Sequence, residues 1–259
     1  MNLKKTLSMI MVLTMSAAVL TGCGNKSEDA DAPEATEKAA LTMATNAEFP
    51  PFEYLENGEI VGADVDIAEA IAAKLGRELE ITNIDFDAAL TGAATGKYDM
   101  AVAGITANDE RRKNMNFSVD YYEASQAIIV MADSEIATAA DLEGKTIACQ
   151  EGTTGEQYLL DNNYSIQSFK TGAEAVTSMT SGKVDAVVID NAVAKELSAK
   201  QNGATKVLDE ALTKESYAIA LQKGDDELTA EINAALEELK ADGTLASIFD
   251  KYELPYDAE

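Results

Sequence analysis

GKYDMAVAG at residues 96–104 is echoed by GKVDAVVID at residues 182–190, and this pair of stretches decides the fold. In both, a Gly-Lys turn follows a run of small residues with helical spacing, and an apolar strand comes next. Strands that alternate with helices in this way are typical of parallel sheets. The repeat predicts an α/β protein of two lobes, each with a mostly parallel sheet flanked by helices.

The two repeated strands end at Gly104 and Asp190. In parallel sheets, ligands collect beyond the carboxyl ends of the strands. If the two lobes face each other, both strand ends meet at one cleft. The sequence therefore predicts a ligand site between the lobes.

The alternation of strand and helix continues on both sides of the repeat, and the 259 residues are enough for two such lobes. Strands are predicted at 41–45, 79–82, 98–103, 145–149, 166–169 and 184–189. Helices are predicted at 65–75, 86–95, 173–181, 192–200, 226–240 and 244–251, and another begins within 155–160. Residues 59–64 are predicted to form a turn.

The composition excludes several classes of function. A formal charge of -26 disfavours nucleic-acid binding, because phosphate backbones select basic surfaces. The chain has no histidine, which removes the commonest general base and the commonest metal ligand. Its two cysteines, Cys23 and Cys149, cannot form a disulfide framework or a cysteine metal site. We therefore expect no metal and no other cofactor.

The N-terminus has the pattern of a processing signal. Two lysines precede an uncharged apolar run at 7–20, which is shorter than the roughly 20 residues of a membrane span. The run ends in LTGC at residues 20–23, which resembles the lipobox of bacterial lipoproteins. That resemblance predicts a signal peptide at 1–22 and a lipid on Cys23; an ordinary secretory signal is the alternative. Residues 23–40 are acidic and lack apolar periodicity, and they predict a disordered tether at the membrane surface.

Several segments together carry a resemblance to a known family: TNAEFPPFE at 45–53, VGADVDIA at 61–68, DMAVAGIT at 99–106, ERR at 110–112, NFSVDYY at 116–122, QEGTTG at 150–155 and DGTL at 242–245. From about Leu41 to Tyr252 the chain resembles the polar amino-acid-binding proteins of bacterial ABC importers, the family 3 extracellular solute-binding proteins. The resemblance implies a type II periplasmic-binding-protein fold. It further implies one lobe at 41–124 plus 218–259, a second lobe at 125–217, and two hinge strands that join them.

A free amino acid presents a carboxylate and an ammonium, and a selective pocket must pair both. Arg111 offers a planar guanidinium that meets a carboxylate with two hydrogen bonds, although its sequence context alone fits a surface arginine. Asp190 ends an apolar strand, where an acid often only caps the next helix. The resemblance assigns Arg111 to the ligand carboxylate and Asp190 to the ammonium, and it leaves Arg112 on the surface.

The resemblance also implies the rest of the ligand-binding set. Thr153 and Thr154 lie at a helix start, where free N–H groups favour a carboxylate. Gly104 and Thr106 follow a strand and offer a carbonyl and a hydroxyl to the ammonium and carboxylate. The remaining predicted residues are aromatic, small or amide-bearing: Asn46, Phe49, Phe52, Ala103 and Gln150.

Two of these positions bear on the ligand's side chain. Several relatives carry aspartate where this chain has Asn46, and some carry a charged residue where it has Gln150. Two neutral amides argue against a strongly cationic side chain and favour a polar or neutral one.

These observations predict a monomeric, lipid-anchored receptor on the extracytoplasmic face of the cell membrane that delivers an amino acid to an ABC permease. It is not expected to be an enzyme. The alternatives are a dehydratase-like enzyme on the same scaffold, a binder of a solute other than an amino acid, or an adhesin. A further alternative is the sensory domain of a receptor. Such a domain continues into a membrane span, and we do not expect a span in this chain.

Overall fold

A computed structural model describes residues 39–256, which form two five-stranded sheets, two smaller sheets and the helices packed on them. The signal peptide predicted at 1–22, the lipid on Cys23 and nearly all of the tether predicted at 23–40 lie outside these residues. Along the described part of the chain, the helices are too short or too polar to cross a membrane.

The strands, in chain order, are β1 (Leu41–Thr45), β2 (Glu48–Phe49), β3 (Glu53–Glu56), β4 (Glu59–Val61), β5 (Leu79–Asn83), β6 (Met100–Ala101), β7 (Met115–Phe117), β8 (Tyr122–Ala124), β9 (Gln126–Met131), β10 (Thr146–Gln150), β11 (Ser165–Phe169), β12 (Ala186–Asp190), β13 (Thr205–Val207), β14 (Glu215–Tyr217) and β15 (Ala220–Gln222). The helices are α1 (Ala63–Leu75), α2 (Phe86–Ala94), α3 (Asp109–Asn114), α4 (Thr154–Asp161), α5 (Gly172–Thr180), α6 (Asn191–Ala199), α7 (Asp226–Ala241) and α8 (Thr244–Lys251).

The two large sheets have matching strand orders. The first runs β5-β1-β6-β15-β7 and the second β11-β10-β12-β9-β13. In each sheet one strand, β15 or β9, runs antiparallel to both of its neighbours, and the first three strands are parallel to each other. The repeat at 96–104 and 182–190 supplies the central strands β6 and β12. The prediction of mostly parallel sheets built on one unit is confirmed.

The chain crosses between the sheets at two adjacent places. It leaves the first sheet through β8 and returns through β14, and these two strands pair antiparallel with Tyr122 opposite Tyr217. The second sheet therefore comes from one continuous stretch, whereas the first combines residues from both ends of the described chain. The lobe boundaries predicted at 124/125 and 217/218 fall at these crossings and stay predictions.

An aromatic cluster fills the space beneath the two crossing strands. Phe52 lies with its ring centroid 5.0 Å from that of Tyr122 and 5.1 Å from that of Tyr217, both in edge-on geometry. Phe249 of α8 extends the cluster, at 5.3 Å from Tyr122. Aromatic pairs of this kind add about 1 kcal/mol each to the burial of their area. The cluster therefore stabilises the packing of the crossing strands against Phe52 and Phe249.

The predicted helices match the observed ones to within two residues, and α8 is matched at both ends. The turn predicted at 59–64 is wrong: Glu59–Val61 is strand β4, and the turn lies at Asn57-Gly58. Both turn residues have positive φ, 53° and 90°, as a two-residue hairpin turn requires. The helix then begins directly after Gly62, whose φ of 136° favours glycine.

Candidate ligand-binding site

A cavity lies where the carboxyl ends of the central strands of the two sheets meet. It encloses about 290 Å³ of space between atoms, part of it open to solvent. It is lined by Asn46, Phe49, Glu53, Phe86, Ala103, Gly104, Thr106, Arg111, Gln150, Thr153, Thr154 and Asp190. The structure thus brings together ten of the eleven residues predicted for the ligand, from both sheets.

Phe52 is the exception among the predicted residues. It is fully buried in the aromatic cluster, and its ring centroid lies 6.3 Å from that of Phe49, which does line the cavity. Phe52 is not part of the cavity lining and packs instead against Tyr122 and Tyr217. Sequence reasoning missed Glu53 and Phe86, which both line the cavity.

Arg111 reaches across the cavity from α3. Its Nη1 donates to the carbonyl of Thr106 at 2.9 Å, and its Nη2 donates to the carbonyl of Gly152 at 3.1 Å. The guanidinium also lies over the ring of Phe86, 5.4 Å from its centroid. Burial lowers the pKa of Arg111, while the nearby carboxylates oppose that shift. The side chain is thus a partly buried cation, held in place by neutral carbonyls and an aromatic face.

Asp190 faces the cavity from the end of β12. It occupies the residue before α6, yet its side chain makes no capping bond to that helix. Its Oδ2 accepts from Nε2 of Gln126 at 2.9 Å, and its Oδ1 accepts from the hydroxyl of Tyr217. Burial and the neighbouring Glu215 raise the pKa of Asp190 to about 7. The carboxyl is thus aimed at the cavity rather than at the helix start.

Gly104 is held in its turn by a buried acid. Its N–H donates to Oδ2 of Asp64 at 2.8 Å, and the Tyr121 hydroxyl donates to the same carboxylate at 2.9 Å. A Cβ at Gly104 would lie 2.8 Å from the Phe49 ring, so only glycine fits at its φ of 53°. Asp64 therefore fixes the backbone whose carbonyl is predicted to meet the ligand ammonium.

Glu53 lies beside Asp64 and is itself fully buried. Burial and the Asp64 carboxyl raise the pKa of Glu53 well above its usual value, while burial raises that of Asp64 to about 6. Two buried acids this close share a proton, because both cannot ionise together. Asp64 accepts hydrogen bonds from the Gly104 N–H and the Tyr121 hydroxyl, which favours its ionised form. The shared proton therefore belongs on Glu53.

This protonation state makes a testable prediction. Glu53→Gln replaces a neutral acid with a neutral amide of the same shape, so the thermal midpoint should stay within a few degrees of the original. Asp64→Asn should lower it markedly, since the buried donors of Gly104 and Tyr121 lose a charged acceptor, at a cost of about 2 kcal/mol. The measurement is thermal unfolding of both variants at pH 7. Equal losses in both would contradict the assignment of the proton.

Thr153 and Thr154 open α4 at the cavity edge. Thr153 caps the helix: its Oγ1 accepts from the Glu156 N–H at 3.3 Å and donates to the Gln150 carbonyl at 2.7 Å. The Thr154 hydroxyl instead donates to Glu215 at 2.7 Å. The first backbone N–H groups of a helix have no partner within it, and they suit an anion.

Asn46 and Gln150 meet across the cavity. Asn46 donates its Nδ2 to the carbonyl of Ile84 at 3.1 Å, which fixes the orientation of the amide. Its Oδ1 then accepts from Nε2 of Gln150, also at 3.1 Å. Gln150 is thereby turned so that its Oε1 is a buried acceptor with no hydrogen-bond partner among residues 39–256.

Comparison with known proteins supports a site for a small solute. The model of the family "Bacterial extracellular solute-binding proteins, family 3" matches residues 41–255. Among curated proteins, the chain is 33% identical over 257 residues to the arginine-binding extracellular protein ArtP of Bacillus subtilis, covering 96% of this chain and 98% of that protein. It is 31% identical over 262 residues to a probable histidine-binding protein of Neisseria gonorrhoeae, covering 97% and 96% of the two chains.

Solved structures agree. An ancestral arginine-binding protein bound to glutamine matches with a TM-score of 0.79 and 42% identity, over 82% of this chain and 97% of that one. The two-lobed periplasmic-binding-protein fold predicted from the sequence is confirmed. The relatives are solute-binding proteins rather than enzymes. The chain therefore belongs to family 3 of the bacterial extracellular solute-binding proteins.

Proposed function

We propose that the cavity between the two sheets binds one free amino acid. A single observation carries the proposal: Arg111 of α3 and Asp190 of β12 line the same cavity. A partly buried cation and a buried carboxyl so arranged match the carboxylate and the ammonium of a zwitterion. The N–H groups that open α4 add donors for the carboxylate, and the Gly104 carbonyl adds an acceptor for the ammonium. The eleven predicted residues, Phe52 excepted, are proposed to contact the ligand.

The ligand's side chain is proposed to carry N–H donors. The acceptor Oε1 of Gln150 is buried without a protein partner, and such a group is costly unless a ligand satisfies it. Glu53, as a neutral acid, adds a second acceptor oxygen on the lining. The relatives are named for arginine and histidine, and the related solved structure is bound to glutamine. These side chains all present N–H groups, which a glutamate or aspartate does not.

Membership of this family implies that the bound ligand is delivered to an ABC transporter. The lobes, at 41–124 plus 218–259 and at 125–217, are proposed to close about the paired strands β8 and β14 like a clamshell. An ABC permease would recognise the closed form through its differential affinity for that state. The protein is proposed to act as a monomer held at the extracytoplasmic face of the cell membrane by a lipid on Cys23.

Thermal unfolding of the chain from residue 24 onward, against the twenty amino acids one at a time, tests the proposal. Ligand at 100 times its dissociation constant adds about 2.7 kcal/mol of stability, which raises the midpoint by several degrees. We expect shifts with one or more of arginine, histidine and glutamine, and none with glutamate or aspartate; a shift with arginine would contradict the expectation from Asn46 and Gln150 that the side chain is not strongly cationic. A shift with glutamate alone would contradict the side-chain assignment, and no shift with any amino acid would contradict the proposed function.

A further inference from the structure

Glu215 is a buried acid that the predicted site does not include. It begins β14, one of the two strands by which the chain crosses between the sheets, and only 8% of it is exposed. Its Oε2 accepts from the hydroxyl of Thr106 at 2.6 Å and from that of Thr154 at 2.7 Å. Its Oε1 accepts from the hydroxyl of Thr213 at 2.7 Å. One carboxyl group thus collects three hydroxyl donors.

These hydroxyls come from different parts of the molecule. Thr106 follows β6 of the first sheet and forms an isolated bridge with Tyr217 of the crossing strand. Thr154 begins α4, which packs on the second sheet. Thr106 and Thr154 also both line the cavity. Glu215 therefore joins the two sides of the cavity through a residue of the crossing segment.

The direction of these bonds is fixed by chemistry. A carboxylate can only accept, so each threonine hydroxyl must donate its single proton to Glu215. A hydroxyl whose proton is committed offers only lone pairs to any other partner. Thr154 already accepts from Nε2 of Gln126 at 3.2 Å and retains one further lone pair. Toward the cavity, Thr106 and Thr154 are then acceptors, suited to an ammonium rather than to the carboxylate that the sequence predicts for the Thr106 hydroxyl.

We propose that Glu215 is a positioning residue that holds the Thr106 and Thr154 hydroxyls as acceptors for the ligand ammonium and ties both sides of the closed cavity to the crossing strands. The proposal rests on the proposed function, because it requires an amino acid in this cavity. The carboxylate oxygens of Glu215 are both committed to threonines, so it acts through those side chains rather than by touching the ligand.

A double-mutant cycle tests this role, with ligand affinity measured by calorimetry for an amino acid that wild type binds. Glu215→Leu keeps the size of the side chain and removes the acceptor, and we expect a loss of about tenfold in affinity. In the Thr106→Val/Thr154→Val background, the same change should cost no further affinity, because the hydroxyls through which it acts are gone. In the Thr106→Ser/Thr154→Ser background, which retains both hydroxyls, the loss should reappear.

Controls separate this role from a merely structural one. Glu123 lies on β8 in the same two-stranded ladder but is exposed, and Glu123→Leu should leave affinity unchanged. If Glu215→Leu does not fold, Glu215→Gln, which lacks the charge, takes its place in the cycle with a smaller expected loss of about threefold. Equal losses in all three threonine backgrounds, or no loss in any, would overturn the role of Glu215. Failure of wild type to bind any amino acid would instead overturn the proposed function.

Discussion

Replacing Arg111 with alanine should reduce amino-acid affinity by about a hundredfold or more. The guanidinium is the cation on the cavity lining, and truncating one partner of a buried charge pair costs about 3 kcal/mol. The ligand carboxylate would be left buried without its counter-charge. Arg111→Lys should recover little, because a lysine ammonium cannot form the two parallel bonds of a guanidinium. Isothermal titration calorimetry with the ligand found by thermal unfolding measures the dissociation constants of wild type and both variants.

Arg112 is the matched control for this prediction. It is the next residue of α3, but it is more exposed and lies 3.8 Å from Asp120 in a surface ion pair. Such pairs contribute little, so Arg112→Ala should change affinity less than about twofold. An Arg111→Ala variant that folds and binds as tightly as the Arg112→Ala variant would remove Arg111 from the site.

Ligand affinity should fall as the pH is lowered through 7, and Asp190 should be the cause. Burial and Glu215 raise the pKa of Asp190 to about 7, so the free protein holds a proton there in mildly acidic solution. The ammonium pairs with the ionised form, so that proton must leave when the ligand binds. Each pH unit below 7 should therefore weaken binding by up to about tenfold. Asp190→Asn should bind weakly at every pH and lose this slope.

The same shift has a consequence for stability without ligand. Because the folded-state pKa lies above the unfolded value, the native carboxyl retains a proton that the unfolded chain releases. The contribution of Asp190 to stability is full below about pH 4 and is lost as the pH rises through about 7. The free energy of unfolding of wild type and Asp190→Asn, measured across this pH range, checks it.

Asp185→Asn is the control for the pH dependence of ligand affinity. Asp185 comes just before β12 and accepts from the Thr146 N–H near the surface. If Asp190→Asn kept the same change of affinity with pH as wild type, another group would be the one that titrates.

Much of the fold follows from local patterns in the sequence. The helix face of α7, with Leu228, Ile232 and Leu236 buried, repeats at helical spacing. The glycines at 96 and 182 both have a φ of 71° and mark the turn before each central strand. The hairpin at 53–61 was missed because its strands are short and its residues mostly polar, which leaves little periodicity to detect.

The candidate site could be predicted only where it lies at strand ends or helix starts. Gly104 and Asp190 follow or end central strands, where a general rule predicts a ligand site. Arg111 is assigned to the ligand only by the resemblance to the family, because its local pattern fits a surface arginine. Glu53 and Glu215 could not be found this way, because a glutamate in a polar segment has the same pattern whether it faces solvent or core. The inward orientation of Glu215 depends on the register of β14 against β8, which is distant in sequence. Glu53 lies on β3, which pairs with the neighbouring strands β2 and β4, and these strands are too short to show a periodic pattern.

The crossing of the chain between the sheets also sets an order of assembly. The second sheet needs only residues 126–207, whereas β15 must enter the first sheet between β6 and β7, which precede it by about a hundred residues. Until Ala220–Gln222 is available, β6 and β7 have no shared neighbour, and both keep an open edge. A chain that emerges from its N-terminus can thus complete the second sheet first. Chain cut before residue 220 should retain one folded half and expose the other to aggregation.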